Sequence, residues 1–291
     1  MSTAVTGAPA VATPTVRRRV LVTGAAGNIG SYFCRHAHQK YELRLLERKR
    51  ESIDEEGDLA GLGEVVIGDV DDLPFMKRAC AGIDTVLHLA ADPSPSATWD
   101  SLLPGNIVGT YNTFAAAKAC GCRRVIYASS IHAVSGYPPD VQVKVTEPVN
   151  PGDLYGVTKC FGEALARYMA EKEGVSSVAI RIGGFQPPST IEDPKNGLAM
   201  VDAWVSRRDL QQLIEKSIDA EPLTFLLVHG LSNNRFKRLD ISTARDVLGY
   251  EPQDDATEVN PHTKDLDLSE KVMAHSMADP GAKSGLRNQV S

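Results

Sequence analysis

The stretch LYGVTKCFGE, Leu154 to Glu163, sets Tyr155 and Lys159 four positions apart at the start of a helical pattern. Both side chains then share one helix face. Such a pair is either a surface contact without consequence or a general base with the cation that tunes it, and spacing alone does not choose. A free phenol titrates near ~10, too high for a base at neutral pH, and a neighbouring ammonium favours its ionised form. Upstream, Ser129 and Ser130 end the apolar run RRVIYASS. Brought to one rim, hydroxyl, phenol and ammonium would let the phenolate take a proton from a substrate hydroxyl while Ser130 holds the substrate oxygen.

Those residues need a rigid scaffold. RRVLVTG, YELRLLE, GEVVIGD, DTVLHLA, RRVIYASS, SSVAIRIG and LTFLLVHG read as strands, rich in Val, Ile and Leu, as strands covered on both faces are. Amphipathic stretches lie between them, near Asn28 to Gln39, Asp72 to Cys80, Leu102 to Ala119, Leu154 to Glu173 and Ser206 to Ile218. Repeated βαβ units with right-handed crossovers predict an α/β fold, a doubly wound parallel sheet of the Rossmann type with helices on both faces.

Such a sheet binds ligands outside the carboxyl ends of its strands. There, after RRVLV, comes TGAAGNIGSYF with Gly24, Gly27 and Gly30 at three-residue intervals. The first permits a tight turn, the second lets the backbone approach a pyrophosphate, and the third allows close packing, while the helix N-terminus offers free amides to the anion. This predicts a dinucleotide site. Glu47, ending the second strand in LRLLERKR, is placed to accept hydrogen bonds from the adenosine ribose, and its charge disfavours a 2′-phosphate, so NAD is expected over NADP. Arg48 and Lys49 leave the phosphorylated cofactor as the alternative. Asp69 in IGDV faces the adenine or caps a loop.

Composition removes other classes. Net charge is −6 with pI ≈ 5.7, and the dense basic runs, Arg17 to Arg19 and Arg48 to Arg50, are short. No nucleic-acid footprint is expected, and no apolar run approaches a membrane span. The five cysteines are an odd number and scattered, which fits reduced thiols in a cytoplasmic protein. Cys120 and Cys122 form a lone C-x-C without a second ligand pair nearby, so no metal is expected. Residues 1–16 read as a flexible leader, 17–254 as a single folded body, and 255–291 as a mostly irregular tail with one short helix near Leu268 to His275.

In order along nearly the whole body, TGAAGNIG, GDV, LHLAA, NIVGT, YASS, YGVTK and RIGG resemble the extended short-chain dehydrogenase/reductase superfamily, the NAD-dependent epimerases and dehydratases. The resemblance implies Ser130, Tyr155 and Lys159 as the catalytic trio. It implies cofactor contacts from Gly24, Gly27, Asn28, Ile29, Gly30, Glu47, Asp69, Val70, Leu89, Ala90 and Ala91, with Tyr155 and Lys159 at the nicotinamide. Asn106 in NIVGT would be a structural or nicotinamide-side residue, with a helix cap as the alternative.

LYGVTKCFGE, His132 after the serine pair, and VHGLSNNRFKRLDISTARDVLGYEPQDD resemble NAD-dependent uronate dehydrogenases and the archaeal sugar and glucose-6-phosphate dehydrogenases. That likeness implies an oxidoreductase acting on CH–OH, turning the hemiacetal carbon of a small sugar into a lactone. It implies substrate contacts at Ser130, Ile131, His132 and Tyr155, with small substrate-binding segments at about 183–210 and 229–254. Two departures bear on the sugar. Uronate dehydrogenases carry asparagine where Ile131 stands, and an arginine where Ala199 is the apparent match; Lys195, Arg207 or Arg208 are the candidate replacements. Uronate, neutral aldose and sugar phosphate all remain open. The rivals are a nucleotide-sugar epimerase or dehydratase with tightly bound NAD, and a non-catalytic NAD-binding sensor. Trp99 and Trp204 are expected to pack. Apolar faces at Tyr111 to Ala119 and Phe161 to Tyr168 suit a homodimer.

Overall fold

The computed structural model describes residues 17–193, 197, 199–260 and 263. The leader, Lys195 and the Leu268 to His275 segment lie outside them. A seven-stranded parallel sheet runs β3-β2-β1-β4-β5-β6-β9. Its strands are β1 (Arg19–Thr23), β2 (Glu42–Glu47), β3 (Glu64–Ile67), β4 (Thr85–His88), β5 (Arg124–Ser130), β6 (Ser176–Ile182) and β9 (Phe225–Gly230). Each falls in one of the seven runs read as strands. Side chains alternate between two cores: Val20 and Val22 point to one face of β1, Leu21 to the other, the period of two that a pleated strand imposes.

Helices cover both faces. Helix α1 (Asn28–Ala37) contributes Phe33 and Ala37 to the first core. On the opposite face lie α2 (Leu73–Cys80), α3 (Thr110–Ala119) and α4 (Leu154–Glu171), which contribute Met76, Phe114 and Met169 to the second. Helix α5 (Arg207–Asp219) returns to the first face with Leu210 and Leu213. Side-chain caps set several starts: the carboxylates of Asp72 and Asp153 accept from the Phe75 and Gly156 amides, and the Ser206 hydroxyl from that of Asp209, so buried helix ends are not left with orphan donors. Helix α4 sits unusually close to β5, because a Cβ on Gly162 would stand 2.0 Å from the Tyr127 ring.

Four features depart from expectation. The helix read over Leu102 to Ala119 begins as a π-helical turn, Leu103–Gly109, before α3; Pro104, Gly105 and Gly109 weaken α-helical preference there, and the wider turn carries Asn106 inward, 1% exposed. A small second sheet pairs β7 (Gly184–Phe185) with β8 (Trp204–Val205). Trp204 is buried with Ile191, Val201 and Ala256, whereas Trp99 is exposed. The packed body also continues past Asp254. Asp255 caps a short helix, α7 (Ala256–Val259), following α6 (Ser242–Leu248), and Asn234 accepts a bond from the Ala256 amide.

Candidate active site

Between β1 and β4 the strand order reverses, and the two loops leaving those strands diverge to open a cleft, as at the switch point of any doubly wound sheet. The loops are fitted to each other. Thr23 Oγ1 accepts from the Leu89 and Ala90 amides at 3.1 Å each and bonds His88 Nδ1 at 2.9 Å. Burial holds His88 down at about 3, so the ring is neutral. Gly24 has φ of +69°, and a Cβ there would lie 3.1 Å from the Ala90 backbone. A Cβ on Gly30 would lie 2.2 Å from the Gly24 carbonyl oxygen. These clearances hold the turn tightly against the loop after β4 and the start of α1, whose N-terminal amides suit a pyrophosphate. Glu47 completes the wall: its Oε1 accepts from the Ala26 amide at 2.8 Å, fixing a carboxylate against the glycine turn.

The cleft encloses about 1070 Å³ and extends from the glycine turn and Glu47 to Ser130, Ile131, His132, Tyr155 and Lys159. All the residues expected at the cofactor line it except Asn106. Asn106 is neither a helix cap nor part of the wall. Its amide donates to Asp92 O and to Thr158 Oγ1, and its carbonyl accepts from the Asp92 amide. It therefore ties the loop after β4 to the helix that carries Tyr155 and Lys159, a brace rather than a cofactor contact.

At the far end, α4 delivers both expected side chains into the cleft. Tyr155 is 7% exposed and packs with Ala97 and Leu102; Lys159 is 4% exposed and donates to the Ala128 carbonyl at 2.9 Å. The Lys159 ammonium stands 5.3 Å from the centre of the Tyr155 ring. Ser130, ending β5, hydrogen-bonds the phenol and so favours its ionisation. The balance nevertheless goes the other way. Burial first, then the charges of Asp153 and Asp92, push the Tyr155 phenol up to about 12 against that bond. Burial likewise drops the Lys159 ammonium to about 8. In the protein alone desolvation disfavours both charged forms, so the phenolate draws on positive charge arriving with the ligand.

Around these residues stand others that spacing did not single out. Asp153 bonds His132 Nδ1 at 2.6 Å, and the His132 ring meets the Tyr155 ring edge-on with centroids 5.5 Å apart. The D-x-x-G pattern opening α4 was the available signal for Asp153, a helix N-cap. Asp92, Phe185, Gln186 and Met200 also line the cleft. Their segments carry no periodic or motif signal. Of the candidate cationic replacements among the described residues, neither reaches the wall: Arg207 lies over the Tyr32 ring and Arg208 pairs with Asp254. Among the described residues no group of three or more His, Cys, Asp or Glu is placed to hold a metal ion.

The chain is 38% identical, over 85% of its length and 98% of the other protein, to an NAD-dependent glucose-6-phosphate dehydrogenase of Haloferax volcanii. It is 32% identical, over 83% and 98%, to an L-arabinose 1-dehydrogenase (NAD(P)(+)) of the same organism. Its fold superposes with a TM-score of 0.74, at 32% identity over 85% and 89% of the two chains, on a variant of uronate dehydrogenase from Agrobacterium tumefaciens complexed with NAD. Residues 20–208, from β1 through the start of α5, match the model of the NAD dependent epimerase/dehydratase family. With that match spanning the glycine turn, the switch-point cleft and the tyrosine helix, the chain belongs to the NAD dependent epimerase/dehydratase family.

Proposed function

We propose that this protein oxidises a small sugar at its hemiacetal carbon to the lactone, with NAD as oxidant and free NADH as product. The observation that carries the reading is the convergence of Ser130, Tyr155 and Lys159 on the end of the cleft opposite the glycine turn. When bound, NAD supplies a hydride acceptor and, in its oxidised form, positive charge. The glycine turn and helix α1 hold the pyrophosphate, and Glu47 holds the adenosine ribose. Ser130 holds the reacting hydroxyl, and Tyr155 takes its proton. Lys159, anchored on the Ala128 carbonyl, keeps its charge beside the phenol. Burial that raises the phenol in the free protein serves the same end, because water excluded from the closed site strengthens every charge interaction at the reacting carbon.

Ile131, Phe185 and Met200 give the sugar end an apolar wall, and His132 is hydrogen-bonded to a sugar hydroxyl. Incubating the protein with NAD and, separately, uronates, neutral aldoses and sugar phosphates should produce the absorbance of reduced nicotinamide with at least one class. If nucleotide sugars are converted without net NADH, the epimerase reading replaces this one. Tyr111 and Tyr168, about half exposed on α3 and α4, lie on the face suited to a second copy, so a homodimer by light scattering is expected. The cysteines are all free, which suits a cytoplasmic protein.

A further inference from the structure

One short polar contact at the sugar end joins two residues of unequal exposure. The Asp153 side chain is fully buried, whereas that of His132 is 18% exposed and lines the cleft. Asp153 spends its two oxygens differently: Oδ1 accepts from the Gly156 amide at 2.7 Å, and Oδ2 faces His132 Nδ1 at 2.6 Å. An ionised carboxylate only accepts hydrogen bonds, so Nδ1 carries the proton and donates it to Oδ2. That leaves Nε2 as the ring position for anything in the cleft. Among the described residues it has no hydrogen-bond partner, and it is not sealed away as a buried unpaired atom.

The backbone makes the same join. The His132 amide donates to Ser130 Oγ, and its carbonyl accepts from Ser135. A Cβ on Gly156 would stand 2.3 Å from the His132 oxygen, so the turn after β5 and the start of α4 meet without an intervening side chain. Moving Asp153 therefore moves both the imidazole and the helix end from which Tyr155 projects.

We propose that Asp153 is a positioning residue for sugar oxidation, acting through His132: it fixes the imidazole with Nδ1 protonated, so that Nε2 accepts a hydrogen bond from a sugar hydroxyl beside the reacting carbon. This rests on the role given to His132 under the proposed function. A hydroxyl held by Nε2 and another held by Ser130 fix the sugar at two points. The carbon hydrogen then points along one direction relative to the phenol, and misplacements of about 1 Å are enough to cost ~10²-fold in rate. An Nε2–H tautomer would turn the acceptor into a donor and lose that bond.

Asp153→Asn separates this role from the cap. Its side-chain oxygen still caps Gly156, while its amide donates to Nδ1 and forces the proton to Nε2. In nitrogen-15 NMR of the free protein, His132 should carry its proton on Nδ1 and, in Asp153→Asn, on Nε2. With the sugar that yields NADH, kcat/KM should fall by about 10- to 100-fold, while NAD affinity stays within about 3-fold. In a His132→Ala background, Asp153→Asn should cost nothing further, since a residue acting only through another shows no independent effect. Equal losses in both backgrounds would reduce Asp153 to a cap and overturn the proposal, as would an unchanged tautomer with unchanged kcat/KM. Should Asp153→Asn fold poorly, Asp153→Ser retains a capping oxygen too short to reach the ring, and the same loss is expected. Full activity in His132→Ala overturns the proposal without touching NAD-dependent sugar oxidation, which NADH formation reports on its own.

Discussion

The two ends of the cleft are built by different means. The glycine end centres on one run of chain, β1 through α1, shaped by backbone at a left-handed Gly24 and a Gly30 with no room for a methyl group, with the Glu47 carboxylate of β2 pinned on the Ala26 amide. The opposite end is gathered from β5 and the turn after it, α4, β7 and Met200, and side chains make most of its wall. A cofactor of constant shape is met by backbone, which leaves little to vary. Side chains in loops at the opposite end can be exchanged without disturbing the sheet.

Substitutions at each end should therefore separate binding from chemistry. The largest effect is expected from Tyr155→Phe, which removes the proton acceptor and should lower kcat by about 10²–10⁴-fold while leaving NAD affinity within a few fold by calorimetry. A parallel loss of NAD binding would mean that the two ends are not independent. Gly30→Ala acts oppositely. Its methyl would meet the Gly24 carbonyl and Ala25 backbone, neither able to swing away, so a stability loss of about 1–3 kcal/mol and a large drop in NAD affinity should appear together in thermal melts with and without NAD.

Lys159→Met should trade activity for stability. The Lys159 ammonium titrates at about 8 in the fold against an ordinary 10.5. Below pH 8 the native protein keeps a buried charge that the unfolded chain carries freely, at a cost on the order of 2–3 kcal/mol. As pH rises from about 8 toward 10.5 the unfolded state holds more protons, and the penalty disappears. The variant should thus be inactive yet more stable at pH 7 by denaturant titration, with the gap closing by pH 10. A variant less stable by the same amount at both pH values would mean that the lost hydrogen bond to Ala128, and not charge burial, sets the difference. The smallest effect is expected from Glu47→Ala: NADP should gain on NAD in kcat/KM, by a factor on the order of 10, and an unchanged ratio would sink the ribose contact.

What was legible in the chain follows the same division. Strand runs, the glycine triplet and the tyrosine–lysine spacing obey local rules, and each falls where the chain pattern puts it. NIVGT leaves Asn106 as a structural residue, a nicotinamide-side residue or a helix cap, and only the π-helical turn decides for structure by drawing its side chain beneath the wall to brace Asp92 against Thr158. The surroundings of the Tyr155 phenol are only half visible in sequence: the lysine is on show, whereas burial and the carboxylates of Asp153 and Asp92 depend on packing. Residues 255–260 look polar, yet Ala256 fills a gap beside Trp204 that no linear pattern announces.

Beneath the sugar end, Arg181 grips Glu163 with two bonds of 2.8 Å, and Ser129 donates into the same carboxylate, all out of reach of solvent. Deleting either partner strands a charge at a cost of roughly 3–5 kcal/mol, whereas replacing both at once is often tolerated. Descendants of this chain can therefore drift freely in the segments that meet the sugar but must cross a deep valley to alter the rivet joining the tyrosine helix to β6. Diversification of substrate then proceeds with the proton-handling apparatus held at a constant depth in the molecule.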